Sequence, residues 1–214
     1  IYFLSYDGKD FRRLTDEPNW AVNIVRADDR NGKVYFTAKR DAVAKQALYV
    51  VDRKGHVTAL TDPSYNATGV VFSPDGEYFV ASRSNVTTPT HIGIFASAGR
   101  KVRRPHIVSD MRGPDYDPSR YALGELVYMT TSDGFRLPGM IVYPKDFDPS
   151  RKYPVHVDIY GGPDTPMVRD RWVTPDEDNQ WWSENSIIQI TVDPRAAGHN
   201  GRKGLDMIYR RLTV

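Results

Sequence analysis

The stretch "RKYPVHVDIYGGPDTP", residues 151–166, decides the fold. Its β-forming run, residues 155–160, stops abruptly at the Gly-Gly-Pro sequence of residues 161–163. Glycine and proline interrupt strands, so the pattern predicts a buried strand that ends at a sharp corner. Tyr160 is the last residue of that run. A tyrosine held at the end of a strand is a candidate functional side chain, and its surroundings must decide the role.

The sequence around this run is typical of the beginning of an α/β domain. Further strands are predicted at 125–131, 136–143 and 186–193, the last of them buried. A hairpin turn joins the first two, and a long polar loop is predicted over 163–180. The last eleven residues carry Leu205, Ile208, Tyr209 and Leu212 at helical spacing and predict the start of a helix. A strand followed by a helix favours an α/β domain over residues 122–214.

The first half of the chain contains an internal repeat. Leu14-Thr15-Asp16 recurs as Leu60-Thr61-Asp62, 46 residues later, and each copy follows two short strands joined by a polar turn. Four short strands in a unit of about 45 residues are typical of a propeller blade. Residues 1–110 are therefore predicted to be a partial β-propeller, its last two to three blades. An ordinary β-meander is the alternative.

Residues 111–121 are charged, contain two prolines and lack apolar periodicity, which indicates a linker between the two parts. The chain has no cysteine, which excludes disulfides and thiolate metal sites. The net charge of +2 gives no reason to expect a nucleic-acid partner. Five scattered histidines form no metal-binding pattern.

The segments "KYPVHVDIYGGP" and "IIQITVDPRAAGHNGRKGLDMIYRRL" resemble the prolyl oligopeptidase family of serine peptidases, most of all its dipeptidyl peptidase IV branch. The resemblance implies a multi-domain β and α/β protein. The C-terminal blades of a propeller would be followed by the N-terminal part of an α/β-hydrolase domain. Both domains are expected to be incomplete in this chain.

In that family, the tyrosine of the strand-end motif contributes its hydroxyl to the oxyanion hole, and Tyr160 matches it. Gly161, Gly162 and Pro163 form the corresponding corner. The alternative is an ordinary tyrosine packed on the rim of the sheet.

The sequence Asp193-Pro194-Arg195-Ala196-Ala197-Gly198 matches the family's Asp-x-Arg-x-x-Gly loop. Asp193, Arg195 and Gly198 are expected to be structural, with the two charged residues forming a buried ion pair. Arg169 and Arg171 lie where relatives place an arginine that faces the substrate, and solvated loop charges are the alternative. His156 and Asp158 share a strand face, but the family's catalytic histidine is expected far downstream.

No serine of the chain lies in the Gly-x-Ser-x-Gly motif that marks the nucleophile of this fold. The catalytic serine, aspartate and histidine are therefore expected outside the chain, and the chain alone is expected to be inactive. The parent protein is expected to be a serine exopeptidase that releases N-terminal dipeptides with proline or alanine at the second position. An acylaminoacyl peptidase, an oligopeptidase or a catalytically dead peptide-binding relative are the alternatives.

The resemblance also implies a peptide substrate, no cofactor, no metal and no nucleic acid. A homodimer and an exported, periplasmic or cell-envelope location are expected on the same basis.

Overall fold

The computed structural model describes residues 1–15, 20–97, 104–175 and 177–211. Antiparallel sheets occupy the first half of the described chain, and a mixed sheet with two α-helices occupies the second. The predicted domain limits at 110 and 122 stay predictions. No described sheet contains strands from both sides of residues 111–121.

The first half folds as successive antiparallel sheets. The first sheet pairs β1 (Tyr2–Leu4) with β2 (Phe11–Arg13). The second contains β3 (Asn23–Asp28), β4 (Lys33–Ala38), β5 (Ala47–Asp52) and β6 (Val57–Ala59). The third contains β7 (Asn66–Phe72), β8 (Tyr78–Asn85), β9 (Thr88–Ala96) and β10 (His106–Asp110). Strands adjacent in sequence are adjacent in each sheet, which is the order of a propeller blade. The prediction of propeller blades is confirmed.

The repeated Leu-Thr pair has the same hydrogen-bond geometry in both copies. Leu14 N–H donates to the Ile1 carbonyl at 2.9 Å, and Leu60 N–H donates to the Leu48 carbonyl at 2.8 Å. The hydroxyl of the following threonine accepts from the backbone nitrogen of the same partner: Thr15 from Ile1 at 2.6 Å and Thr61 from Leu48 at 2.9 Å. Each copy therefore closes the end of one sheet with a buried leucine. Asp16 lies outside the described residues.

The central blade is buried on both of its faces. Side chains of a strand alternate between faces, and in β4 and β5 both sets include buried apolar residues. Phe36 and Tyr49 pack in one cluster with Leu14 of the preceding sheet. Tyr35 and Leu48 pack in a second cluster that includes Phe79, Ala81 and Phe95 of the next blade. The alternation therefore joins three sheets into one stack.

The second half contains a mixed sheet in the order β11-β12-β14-β13. Its strands are β11 (Gly124–Thr130), β12 (Arg136–Val142), β13 (Val155–Asp158) and β14 (Ile188–Val192). The predicted hairpin is confirmed as β11 and β12, which pair antiparallel, whereas β13 and β14 pair parallel. A short 3-10 helix, Pro118–Arg120, precedes this sheet. The second half also contains two α-helices, α1 (Glu177–Glu184) and α2 (Gly201–Asp206).

The prediction that the run 155–160 is a buried strand is wrong for this chain. Every residue of β13 is exposed, because the strand lies at the edge of the sheet and bonds only to β14. Val155, Val157 and Ile159 are exposed by 50%, 52% and 57%. Their alternation indicates one apolar face that no described element covers.

Two helix predictions are corrected. The segment 163–180 is not all loop, because α1 begins at Glu177. Trp182 of this helix stacks on His156 of β13, with ring centroids 4.2 Å apart, and this contact anchors a mostly polar helix to the sheet. The terminal helix α2 begins at Gly201 and ends at Asp206, earlier than the spacing of Leu205 to Leu212 predicts. Leu212 lies outside the described residues.

The segment that follows Tyr160 lies across the ends of both four-stranded blades. Asp170 N–H donates to the Ala44 carbonyl at 2.8 Å. The Asp170 carboxylate accepts from Lys45 Nζ at 2.7 Å and from Val86 N–H at 3.0 Å. Trp172 N–H donates to Ser84 Oγ at 3.1 Å. These bonds place the strand-end corner beside the blades.

We expect Leu48→Ala to destabilise the chain by about 2–5 kcal/mol, because it removes a fully buried side chain between two blades. The denaturant midpoint of a full-length protein carrying this chain would measure the effect. Val71→Ala is the control, since Val71 is 66% exposed. Equal midpoint shifts for the two variants would contradict the inter-blade core.

Candidate active site

Tyr160 stands on a corner that only glycine can form. Gly161 has φ +76°, in the left-handed region that L side chains avoid. The ring of Tyr160 lies directly over Gly162, where an added Cβ would come within 2.4 Å of the ring carbon Cε1. The two glycines therefore let the chain reverse while the tyrosine ring packs against its own backbone. Pro163, which follows, fixes φ at the exit of the corner.

The Tyr160 side chain is 59% exposed. Its hydroxyl has no hydrogen-bond partner among the residues that the structure describes. A phenolic hydroxyl can donate one hydrogen bond. The strand end therefore presents a donor that is free to bond a ligand.

The corner is tied to the loop that follows β14. Asp164 N–H donates to the Ala196 carbonyl at 2.9 Å. Gly198, with φ +92°, lies so close to Asp164 that a Cβ there would be 2.6 Å from its Oδ1 atom. The predicted structural role of Gly198 agrees with this close approach.

The predicted buried ion pair between Asp193 and Arg195 is wrong. The carboxylate of Asp193, 3% exposed, instead accepts from Met167 N–H at 3.1 Å and Val168 N–H at 2.7 Å. His199 Nε2 adds a third bond at 2.8 Å. These three bonds stabilise the buried carboxylate without any contribution from Arg195.

Arg195 turns outward to the β11–β12 hairpin. Its Nε and Nη2 atoms each bond one oxygen of Asp133 at 2.9 Å. The bonds from Arg195 lower the pKa of Asp133 to about 2. This pair is solvent-accessible, so its contribution to stability is small.

His199 joins the two halves of the described chain, and the sequence reasoning missed it. The side chain is 1% exposed, and its Nδ1 atom lies 2.8 Å from the Val43 carbonyl in the loop between β4 and β5. Its Nε2 atom bonds Asp193. The only signal in the sequence was an aspartate six positions before a histidine, which many surface loops share.

Burial alone would raise the pKa of Asp193. The hydrogen bonds from His199 and from the backbone of Met167 and Val168 outweigh that effect and hold the pKa below its usual value of 3.8. The carboxylate is therefore ionised and fixed in place over the ordinary pH range.

Arg169 lies on the segment between the corner and the blades and is exposed. Its Nε atom donates to the Pro166 carbonyl at 3.0 Å, and the side chain lines a cavity shared with the β4–β5 loop. His156 is held by Trp182 rather than by Asp158. The His-Asp pair of β13 therefore shows no catalytic arrangement.

Comparisons with known proteins identify the family. A family model described as the dipeptidyl peptidase IV (DPP IV) N-terminal region matches residues 1–90. The crystal structure of Porphyromonas gingivalis dipeptidyl peptidase 4 superposes with a TM-score of 0.83 and 28% identity, over 100% of this chain and 30% of that one. The chain belongs to the dipeptidyl peptidase IV family.

Curated relatives agree with this assignment. A probable dipeptidyl-aminopeptidase B of Aspergillus clavatus is 33% identical over 99% of this chain and 23% of its own length. Human dipeptidyl peptidase 8 is 27% identical over 84% of this chain and 21% of its own length. The chain thus spans about a fifth to a quarter of the length of these relatives.

Within the described ranges of this dipeptidyl peptidase IV family chain, no three His, Asp or Glu side chains are grouped so that they could hold a metal ion. No described helix has the length and apolar character required to cross a bilayer.

We expect His199→Leu to lower the unfolding free energy by about 1–3 kcal/mol, because it leaves the buried Asp193 carboxylate short of one donor. The matched control is His56→Leu, since His56 bonds Asp52 in the same way but at an exposed position. Urea titration of both variants at neutral pH would measure the difference. A shift for His56→Leu as large as that for His199→Leu would disprove the stabilising role of the buried His199.

We expect the stability difference between the native protein and Asp193→Asn to depend on pH. The pKa of Asp193 is lower in the folded protein than its unfolded value of 3.8, so its stabilising bonds are complete above that pH. The difference should shrink as the pH falls below 3.8 and through the folded pKa. Urea midpoints from neutral to acidic pH would measure it, with the exposed Asp115→Asn as control. A difference that stays constant over this range would refute the account.

Proposed function

We propose that the chain is part of a serine exopeptidase that releases dipeptides from peptide N-termini, with proline or alanine at the second position. The observation that carries the proposal is the free hydroxyl of Tyr160 on its Gly-Gly-Pro corner. The relatives described above are named dipeptidyl peptidases or dipeptidyl-aminopeptidases, which supports a peptide substrate.

Tyr160 would stabilise the tetrahedral intermediate of acyl transfer. When a serine hydroxyl attacks the scissile carbonyl, the bond from serine Oγ to the carbonyl carbon forms as the π bond of the carbonyl breaks. The hydroxyl proton passes to a general base of the full-length protein, and the carbonyl oxygen gains negative charge. A donor that is already aimed at that oxygen lowers the barrier without reorganising. The strand, the left-handed Gly161 and the ring packing on Gly162 together provide such a fixed donor.

The mixed sheet would be the beginning of an α/β-hydrolase domain. Its parallel strands β13 and β14 meet at one edge, where the corner of Tyr160 and the loop of Asp193 both follow their carboxyl ends. Active sites of α/β sheets lie outside the carboxyl ends of the strands. This placement supports the oxyanion assignment over a tyrosine that only packs on the rim.

Arg169 would face the substrate from the blade side. Its side chain is exposed, and its only described hydrogen bond is the one from Nε to Pro166. The rest of its guanidinium can therefore donate to a peptide carbonyl or carboxylate. A solvated loop arginine is the alternative that substitution at this position would distinguish.

The printed chain by itself should not hydrolyse peptides, because it contains no Gly-x-Ser-x-Gly sequence to supply the nucleophile. Export to the periplasm or cell envelope and homodimer formation are further proposals that rest on the family resemblance alone. Cell fractionation and light scattering of the full-length protein would test them.

We expect Tyr160→Phe, in a full-length protein that carries this chain, to lower kcat/KM for a Gly-Pro p-nitroanilide by roughly 100- to 1,000-fold. Loss of one oxyanion donor should reduce kcat more than it raises KM. Tyr6→Phe is the control, because Tyr6 is fully exposed and far along the chain from the corner.

Three results would count against the proposal. Unchanged kinetics in Tyr160→Phe would mean that this tyrosine only packs. Turnover restricted to peptides with blocked N-termini would reject the dipeptidyl specificity and favour an acylaminoacyl peptidase. Binding of peptides without turnover would favour a catalytically dead relative.

A further inference from the structure

A basic cavity separates the β4–β5 loop from the segment that follows the Tyr160 corner. Its volume is about 220 Å³. Four cationic side chains line it, two from each side: Lys39 and Lys45 from the loop, and Arg169 and Arg171 from the segment. Three neutral polar residues and the apolar Ala44 and Pro166 complete the lining, and none of the described lining residues is an aspartate or glutamate. The whole chain carries a net charge of only +2, so this concentration of cations is local.

One of the four cations is already neutralised. Lys45 Nζ bonds Asp170 Oδ2 at 2.7 Å, and Asp170 is buried behind the cavity wall. Arg169 donates one N–H, from Nε, to the Pro166 carbonyl. The guanidinium of Arg171 makes no hydrogen bond or ion pair with any described residue. Several N–H donors of the two arginines therefore remain available to a ligand.

Lys39 is a partly buried cation with no carboxylate in direct contact among the described residues. Its ammonium lies 3.3 Å from the Gly198 carbonyl and 3.2 Å from His199 Nδ1, and it forms no ion pair among the described residues. Asp193 and Asp164 attract it from a greater distance. The Asp193 carboxylate, however, is already engaged by His199 and two backbone amides.

The electrostatic surroundings of Lys39 favour an anionic ligand. Burial, followed by repulsion from Arg169, lowers the pKa of Lys39 to about 8. A bound carboxylate would oppose both effects, because an anion a few ångströms away favours the charged amine. The cavity thus holds cations in an arrangement that a negative ligand would stabilise.

We propose that this cavity is a binding site for a carboxylate of a peptide ligand, held by Lys39, Arg169 and Arg171. Arginine binds carboxylates through paired N–H donors, and lysine adds a compact charge. That the ligand is a peptide rests on the proposed function, whereas the preference for a carboxylate rests on the cavity alone. The carboxylate is either an acidic side chain or the C-terminus, and both sources can be tested.

Isothermal titration of a full-length protein carrying this chain would test the site. N-acetylated peptides are used because they lack the free amino terminus that a dipeptidyl peptidase needs and stay intact. The acidic side chain is presented by N-acetyl-Asp-Glu-amide, and the C-terminus by N-acetyl-Asn-Gln as the free acid. N-acetyl-Asn-Gln-amide is the neutral reference. We expect at least one carboxylate peptide to bind about tenfold or more tightly than the neutral one at low salt.

Charge-removing variants locate the binding. Arg169→Gln and Lys39→Met should each lower the affinity for the carboxylate peptide by about tenfold, with little effect on the affinity for the neutral peptide. Lys54→Gln is the matched control, because it removes one positive charge from an exposed turn outside the cavity. Arg169→Gln changes an exposed side chain and should not affect folding, so the test does not depend on the stability of Lys39→Met.

The pH dependence gives a second measurement. Because the pKa of Lys39 is about 8, carboxylate affinity should fall as the pH rises from about 7 to about 9. The arginines stay charged over that range. The fall should therefore disappear in Lys39→Met and persist in Lys54→Gln.

Equal affinity for both carboxylate peptides and the neutral reference would overturn the site. So would a loss in Lys54→Gln as large as that in Arg169→Gln. Peptide hydrolysis does not enter this measurement. A silent Gly-Pro p-nitroanilide assay with intact carboxylate binding would reject the peptidase proposal alone, and the reverse result would reject the carboxylate site alone.

Discussion

The buried carboxylate of Asp193 is the constraint on which the junction between blades and mixed sheet depends. It accepts from two successive backbone amides of the segment after Tyr160 and from His199, whose other nitrogen lies against the Val43 carbonyl of the central blade. A buried carboxylate without donors would be very costly. Its three bonds therefore fix the strand-end loops and the blade loop relative to one another.

The bonds of Asp193 and His199, which we call the clamp, give the candidate active site its rigidity. The Gly-Gly-Pro corner would be a flexible hinge if nothing held its far side. Asp164 is bonded to Ala196 and lies against Gly198, in the loop that Asp193 and His199 hold. Tyr160 is thus positioned by its own backbone below the ring and by the clamped loop beyond it. Catalytic donors act through such preorganisation.

The same junction creates the basic cavity. The loop 39–46 and the segment 166–171 approach each other because Asp170 bonds Lys45, Ala44 and Val86. Asp170 is paired with Lys45 in this contact, and Lys39, Arg169 and Arg171 line the cavity without such a pairing. Lys45 and Asp170 would thus have a structural role, whereas the neighbouring Lys39, Arg169 and Arg171 would bind the ligand.

The sequence alone determined the blades, the β11–β12 hairpin and the corner at Tyr160. These features depend on local patterns: short strands joined by polar turns, a repeated leucine-threonine pair, and glycines followed by proline. Tertiary structure decided the rest. Asp193 bonds His199 rather than Arg195, β13 lies exposed at a sheet edge, and Lys39 meets Arg169 across 130 positions of sequence. Such pairings depend on which loops the packed sheets bring together, and no periodicity within either loop encodes its partner.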